Sequence, residues 1–139
     1  MATINLTRPT IRMTETDHDR LSFLVDGLHA PSPGAALLEE ELERATVVGS
    51  RYRGPAFVRL NSIVEYQDLD SGQVRRLRIV LPKDARIEDD SISVLSPAGA
   101  ALLGLAAGQT IHWKVADGRT RTLKVLSVVD GPDLQQGLA

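Results

Sequence analysis

The sequence predicts an α+β protein in which two short helices precede a small domain built on an antiparallel sheet. Apolar residues recur at helical spacing between residues 15 and 48, and they alternate with polar residues from residue 56 onward. A chain of 139 residues makes one ordinary domain, or one compact domain with a short appendage. We therefore expect an N-terminal arm (1–14), a helical hairpin (15–48), a linker (49–55), a sheet domain (56–130) and a flexible tail (131–139).

The first helix is predicted to begin at Thr16, after an arm that is expected to be loose or extended around Ile11. Thr16 is a typical N-cap residue, and Asp19 three positions later acts as a weaker relative of the capping-box acid. An apolar stripe with helical spacing follows, formed by Leu21, Leu24, Val25 and Leu28. The helix is expected to end near residues 27–29.

The second helix is predicted to begin at Ser32 and Pro33, an N-cap residue followed by proline at the first helical position. Its apolar stripe is Leu38, Leu42 and Ala45, and its wetter faces carry Glu39, Glu40, Glu41 and Glu43. Two helices around so tight a break predict an antiparallel, coiled-coil-like hairpin. At about a dozen residues each, the helices reach only roughly 20 Å and must lean on the body.

The body is predicted to contain about five strands and one short helix. Period-two patterns indicate strands at 63–66, 74–81, 92–95, 111–115 and 120–129. A turn at 70–72 joins the first two strands, and Asp117-Gly118, a typical tight-turn dipeptide, joins the last two. Ser96 and Pro97 open the short helix, and Gly104 closes it.

The composition excludes several classes of protein. There is no cysteine, which rules out disulfides, thiolate metal sites and thiol nucleophiles, and no run approaches the roughly 20 apolar residues of a membrane span. Residues 15–45 hold eight acidic residues and two arginines, a balance of −6, whereas residues 51–130 hold twelve basic and nine acidic residues, a balance of +3. Without a strongly basic surface, direct sequence-specific binding of nucleic acid is not expected. The expected location is the cytoplasm.

Candidate catalytic residues are few, and each has a simpler interpretation. His18, His29 and His112 do not share the spacing of metal ligands, so no metal site and no cofactor are expected. Glu39 and Glu43 lie one helical turn apart, as a general acid and base would, but they belong to an acidic run that indicates a solvated face. Ser96 has no base nearby in sequence and fits the role of an N-cap. The protein is therefore expected not to be an enzyme.

Two arginine-bearing segments of the body are candidates for a partner-docking face. In the predicted strand 74–81, Arg76 and Arg78 fall on one face and Arg75 on the other, as in a half-exposed strand. Arg119 and Arg121 repeat the pattern on the last hairpin.

From Ile92 onward the chain reads ISVLSPAGAALLGLAAGQTIHWKVADG, which resembles the C-terminal domain of the Gre transcription factors. Further matches lie at 8–11, 61–64 and 68–72, and within the GreA/GreB family the resemblance is strongest to the small Rnk-type members, the regulators of nucleoside diphosphate kinase. Each motif is short, but their order and spacing span nearly the whole chain. The resemblance implies an FKBP-like fold for the sheet domain.

The resemblance also implies a partner. Gre-like proteins dock this domain on the outer rim of the secondary channel of bacterial RNA polymerase, with their Ser-Pro loop in the contact. Carried over, the loop corresponds to Ser96, Pro97, Ala98 and Gly99. The expected function is that of a transcription regulator that binds core polymerase and competes with other Gre-type factors.

Cleavage-stimulating Gre factors carry acidic residues at the tip of a long coiled coil, where they hold a catalytic Mg²⁺. The tip of this hairpin, residues 29–34, contains no carboxylate, and Mg²⁺ requires hard oxygen ligands. The nearest acid is Asp26, and the hairpin is short, so transcript cleavage is not expected. Two alternatives remain open: a Gre-type cleavage factor, and a prolyl isomerase suggested only by the fold.

Overall fold

The computed structural model describes residues 9–30, 32–114 and 118–130. The first eight residues of the predicted arm and the predicted tail at 131–139 lie outside this part. The elements are β1 (Arg12–Thr14), α1 (Glu15–Asp26), α2 (Pro33–Arg44), β2 (Thr46–Val48), β3 (Ser62–Asp68), β4 (Val74–Val80), β5 (Ser91–Ser93), α3 (Pro97–Leu102), β6 (Thr110–Lys114) and β7 (Thr120–Asp130). The predicted α+β class is confirmed.

A two-stranded parallel sheet joins the two ends of the helical unit. β1 precedes α1, β2 follows α2, and Arg12 pairs with Thr46. The extended segment expected around Ile11 is therefore present, and Ile11 itself is fully buried. The Thr46 N–H donates to the Ile11 carbonyl at 2.9 Å, so the segment before α1 is held in place.

The caps of the two helices differ in how well the sequence predicted them. The expected N-cap of α1, Thr16, is wrong by two residues, because Thr14 accepts the hydrogen bond from the Asp17 N–H at 3.0 Å. The expected cap of α2 is confirmed, since Ser32 accepts from the Ala35 N–H at 3.1 Å and Pro33 is the first helical residue. Because Thr14 and Thr16 are both typical N-cap residues, the sequence alone does not show which of them begins α1.

The burial of Glu41 contradicts the expectation that all four glutamates of α2 lie on its solvent-exposed faces. Its exposed fraction is 0%, while Glu39, Glu40 and Glu43 are exposed. Glu41 lies three residues after Leu38 on the buried side of the helix, and its carboxylate accepts from Arg44 Nε at 2.8 Å and Nη2 at 2.9 Å. Arg44 also donates to the carbonyl of Pro9, so the pair ties α2 to the arm.

The main sheet has five strands in the order β5-β4-β3-β7-β6. The β3–β4, β3–β7 and β6–β7 pairs are antiparallel, as predicted, but β4 and β5 are parallel. The ten residues between these strands include 3₁₀ turns at Pro82–Asp84 and Ile87–Asp89. They return the chain to the end of the sheet at which β4 begins. Because β4 and β5 are parallel, the segments that follow them lie at the same end of the sheet.

A single apolar core joins the helices to this sheet. Leu21 of α1 and Leu38 of α2 belong to it together with Leu102 of α3, Val64 of β3 and Ile79 of β4. Among the described residues, no helix is long and apolar enough to cross a membrane.

Candidate functional site

The Ser96 turn, which links β5 to α3, is held by its own hydroxyl. Ser96 Oγ donates to the Ser93 carbonyl at 2.7 Å and accepts from the Gly99 N–H at 3.0 Å. The Ser96 N–H donates to the same carbonyl at 2.9 Å. Both hydroxyl functions are thus engaged, and the role of Ser96 as N-cap of α3 is confirmed.

The four residues suggested for docking are not equally accessible. Pro97 is exposed, Ser96 and Ala98 are half-buried, and Gly99 is buried. A Cβ at Gly99 would lie 2.3 Å from the Ser93 carbonyl oxygen, so the position has no room for a side chain. Gly99 therefore supports the loop from within, while Pro97 and its neighbours form the outer surface. The docking role of the loop stays a prediction.

The start of α2 packs directly on this loop. A Cβ at Gly34 would lie 1.7 Å from the Leu95 carbonyl oxygen and 3.0 Å from the Ser96 carbonyl carbon. Only glycine permits so close an approach of two backbones. The first turn of α2, which lies at the predicted tip of the hairpin, and the Ser96 turn therefore form one continuous surface.

The helical unit lies along the body and does not project from it. At the far end of α2, β2 pairs with β1, whose Arg12 N–H donates to the Gly104 carbonyl at 3.2 Å. Along α2, Leu38 is fully buried in the shared core. Both ends of the helix are therefore anchored, which differs from a free coiled-coil finger.

Asp17 joins α1 to the body through a tertiary hydrogen bond that no local pattern predicts. One carboxylate oxygen accepts from the Leu60 N–H at 3.0 Å, and only 7% of the residue is exposed. Burial raises the pKa of Asp17, although the Leu60 hydrogen bond and the charges of Arg59 and Arg20 oppose the shift. A carboxylate in the first turn of a helix usually serves only the helix dipole, so the tertiary contact could not be predicted.

Acidic residues lie beside or opposite two arginines of the candidate docking strands. Arg76 on β4 lies opposite Glu65 on β3 in the antiparallel strand register. Arg121 Nη2 donates to Asp68 Oδ2 at 2.6 Å. Although burial alone would raise it, the pKa of Asp68 is lowered by the Asp70 N–H, the Arg121 guanidinium and the Ser71 N–H. The positive charge of Arg121 is therefore offset by Asp68 at this surface.

Within the described residues, no group of three or more histidine, aspartate or glutamate side chains is placed to hold a metal ion. His18 Nε2 lies 3.0 Å from the Leu42 carbonyl oxygen, and His112 Nδ1 lies 3.0 Å from Thr122 Oγ1. Both rings are therefore engaged in ordinary hydrogen bonds.

Two family descriptions match different parts of the chain. Residues 53–130 match "Transcription elongation factor, GreA/GreB, C-term", which covers the main sheet and α3. Residues 9–48 match "Rnk N-terminus", which covers the helical unit with its two short strands. The boundary between the matches falls in the segment that joins β2 to the main sheet.

Individual relatives agree with these matches. The "Regulator of nucleoside diphosphate kinase" of Escherichia coli K12 is 34% identical over 129 residues, which are 92% of this chain and 95% of that protein. The "Transcription elongation factor GreA" of Solidesulfovibrio magneticus is 35% identical over 68% of this chain and 58% of its own length. A solved GreA/GreB structure from Nitrosomonas europaea has a TM-score of 0.67 and 36% identity, covering 87% of this chain and 98% of its own.

Proposed function

Because this chain belongs to the GreA/GreB family and to its Rnk-type branch, we propose that it binds bacterial RNA polymerase at the rim of the secondary channel. In this proposal Ser96, Pro97 and Ala98 form the contact, and the bound protein competes with Gre-type factors for the same place. It regulates transcription without stimulating transcript cleavage. The expected location is the cytoplasm, where polymerase works.

The observation that carries the docking proposal is the form of the Ser96 turn. Pro97 is exposed at the top of a loop that three hydrogen bonds and a buried glycine hold rigid. A rigid loop loses little conformational entropy on binding, so its contacts convert more fully into affinity. The adjoining start of α2 widens the rigid surface around Pro97.

The position of the helices supports regulation without cleavage. α2 is anchored to the body at both ends. Its first turn therefore borders the proposed docking loop and does not extend away from it. The turn also lacks carboxylates at 29–34, so it offers no ligands for Mg²⁺. An effect on nucleoside diphosphate kinase, the feature for which the Escherichia coli relative is named, would then arise indirectly through transcription.

Retention of core polymerase by the immobilised protein tests the proposal. Pro97→Glu places a charge on the proposed contact and should weaken retention at least about tenfold, because a charge buried without a partner is costly. Val74→Glu is the matched control, since Val74 is exposed at the start of β4, the opposite end of that strand from the Ser96 turn. Equal retention of both variants, or no retention of the wild type, would contradict the proposal.

A further inference from the structure

Charged residues are missing from the two segments that meet at the Ser96 turn. Residues 27–38 and residues 91–113 contain no Asp, Glu, Lys or Arg, and every other uncharged run in the chain is shorter. The two runs come together where Gly34 packs on Leu95. Because 24% of the residues in the whole chain are charged, the place where the two runs meet differs in chemistry from the rest of the molecule.

Burial accounts for only part of this lack of charge. Much of the second run belongs to the apolar core, where charged side chains are rarely found. Pro33, at the start of α2, and Pro97, at the start of α3, are nevertheless both exposed. Charged residues are common at exposed positions, so the two prolines mark a surface that is uncharged although solvent reaches it.

Pro33 and Pro97 are near neighbours across the contact between α2 and the Ser96 turn. A Cβ at Gly34 would lie 3.0 Å from the Ser96 carbonyl carbon, which is bonded to the Pro97 nitrogen. When the intervening covalent bonds and the spacing of consecutive Cα atoms are added, the Pro33 Cα lies within about 10 Å of the Pro97 nitrogen. Both rings have a fixed φ, so neither backbone loses much freedom when a partner covers it.

We propose that Pro33 and Pro97 are the two halves of one uncharged contact, and that the element of RNA polymerase that covers them presents apolar side chains. This inference rests on the proposed function and adds the first turn of α2 to the docking surface. The centre of a protein–protein interface is depleted in charged residues, whereas its rim is polar. The exposed Asp26 and Glu39, which flank the first uncharged run, fit such a rim.

Titration of the labelled full chain with core polymerase, followed by fluorescence anisotropy, tests the added half of the contact. Pro33→Glu and Pro33→Lys should each raise the dissociation constant at least about tenfold, because a charge of either sign is left without a partner when the surface is covered. A glutamate in the first turn favours a helix, so Pro33→Glu keeps the fold. The matched control is Ala36→Glu, which places the same charge two residues after Gly34, on the opposite and exposed side of α2, and should bind like the wild type.

Ionic strength gives a second measurement of the same contact. The dissociation constant of the wild type should change by less than about threefold between about 0.15 and 0.6 M salt, since an uncharged contact has no ion pairs to screen. A weakening of about tenfold or more, or opposite effects of Pro33→Glu and Pro33→Lys, would overturn the inference.

The outcomes separate this inference from the proposed function. If Pro97→Glu weakens binding while both Pro33 variants bind like the wild type, the proposed function stands and the inference is wrong. A wild type that does not bind core polymerase would overturn both.

Discussion

Gly34 at the start of α2 packs so closely on Leu95 that a Cβ at Gly34 would lie 1.7 Å from the Leu95 carbonyl oxygen. This contact joins the helical unit to the loop that carries Pro97. It also explains why glycine, a poor helix former, occupies the second position of a helix. The geometry of the proposed docking surface depends on it.

Gly34→Ala is expected to destabilise the protein by about 2–3 kcal/mol or more, because the added methyl group forces two backbones apart. Urea denaturation gives the change in the free energy of unfolding. Gly27→Ala is the matched control: Gly27 has φ −87°, and its added Cβ would meet atoms only at 3.6 Å and beyond. An alanine at position 34 that costs no more than the control would show that the close contact is not formed.

Glu41→Ala is expected to destabilise the protein by about 3–5 kcal/mol, because it leaves Arg44 without its bidentate partner and opens a space in the buried face of α2. Glu39→Ala, on the exposed face of the same helix, should change the free energy of unfolding by less than about 0.5 kcal/mol. Thermal melting of both variants measures the difference. Similar melting temperatures would contradict the burial of Glu41.

Most elements could be predicted from the sequence because their periodicity is local. The stripe at Leu21 and the strand around Val64 show which side faces the core, whatever lies opposite. Glu41 could not be assigned in this way, since four neighbouring glutamates resemble a solvated face until Arg44 and the arm are placed around one of them. The parallel pairing of β4 and β5 depends on how the connecting loop returns, which no periodicity records.

The candidate site shows the same division. Ser96 and Pro97 are recognisable as a helix start from the residue types alone, and the structure confirms the cap. The contact of Gly34 with Leu95 has only an indirect signal, a glycine inside the first turn of a helix. The hydrogen bond from Leu60 to Asp17 joins residues 43 positions apart and has no local signal.

Asp17→Ala is expected to cost about 1–3 kcal/mol, because the Leu60 N–H loses its acceptor in a buried place. Asp17→Asn keeps an acceptor oxygen and should cost much less. Unfolding of both variants by urea at neutral pH compares them directly. An Asn variant as unstable as the Ala variant would show that the hydrogen bond contributes little.

The raised pKa of Asp17 predicts how stability depends on pH. The pKa of the Asp17 carboxyl group is higher in the folded state than its ordinary value of 3.8, which applies to the unfolded state. The stability that this group contributes is therefore fully present below pH 3.8, and it is lost as pH rises through the folded-state pKa. The wild type should therefore lose stability relative to Asp17→Asn as pH rises from 3.8 through the folded-state pKa. Urea unfolding of both proteins from pH 3.5 to 7 measures the difference, and an opposite trend would contradict the raised pKa.

Ser96→Ala is expected to lower the free energy of unfolding by about 1–2 kcal/mol, because α3 loses its N-cap. Ser127→Ala, at an exposed position of β7, should be close to neutral. Thermal melting compares the two variants. No difference between them would mean that the Ser96 hydroxyl does not hold the turn.

Competition with a Gre factor for core polymerase tests the central proposal most directly. A labelled Gre factor bound to core polymerase is titrated with wild-type protein, with Pro97→Glu and with Val74→Glu, and the bound label is followed by fluorescence anisotropy. Wild type and Val74→Glu should displace the label with equal midpoints, and Pro97→Glu should need at least about tenfold more protein. Failure of the wild type to displace the factor, or displacement by Pro97→Glu at the wild-type midpoint, would contradict it.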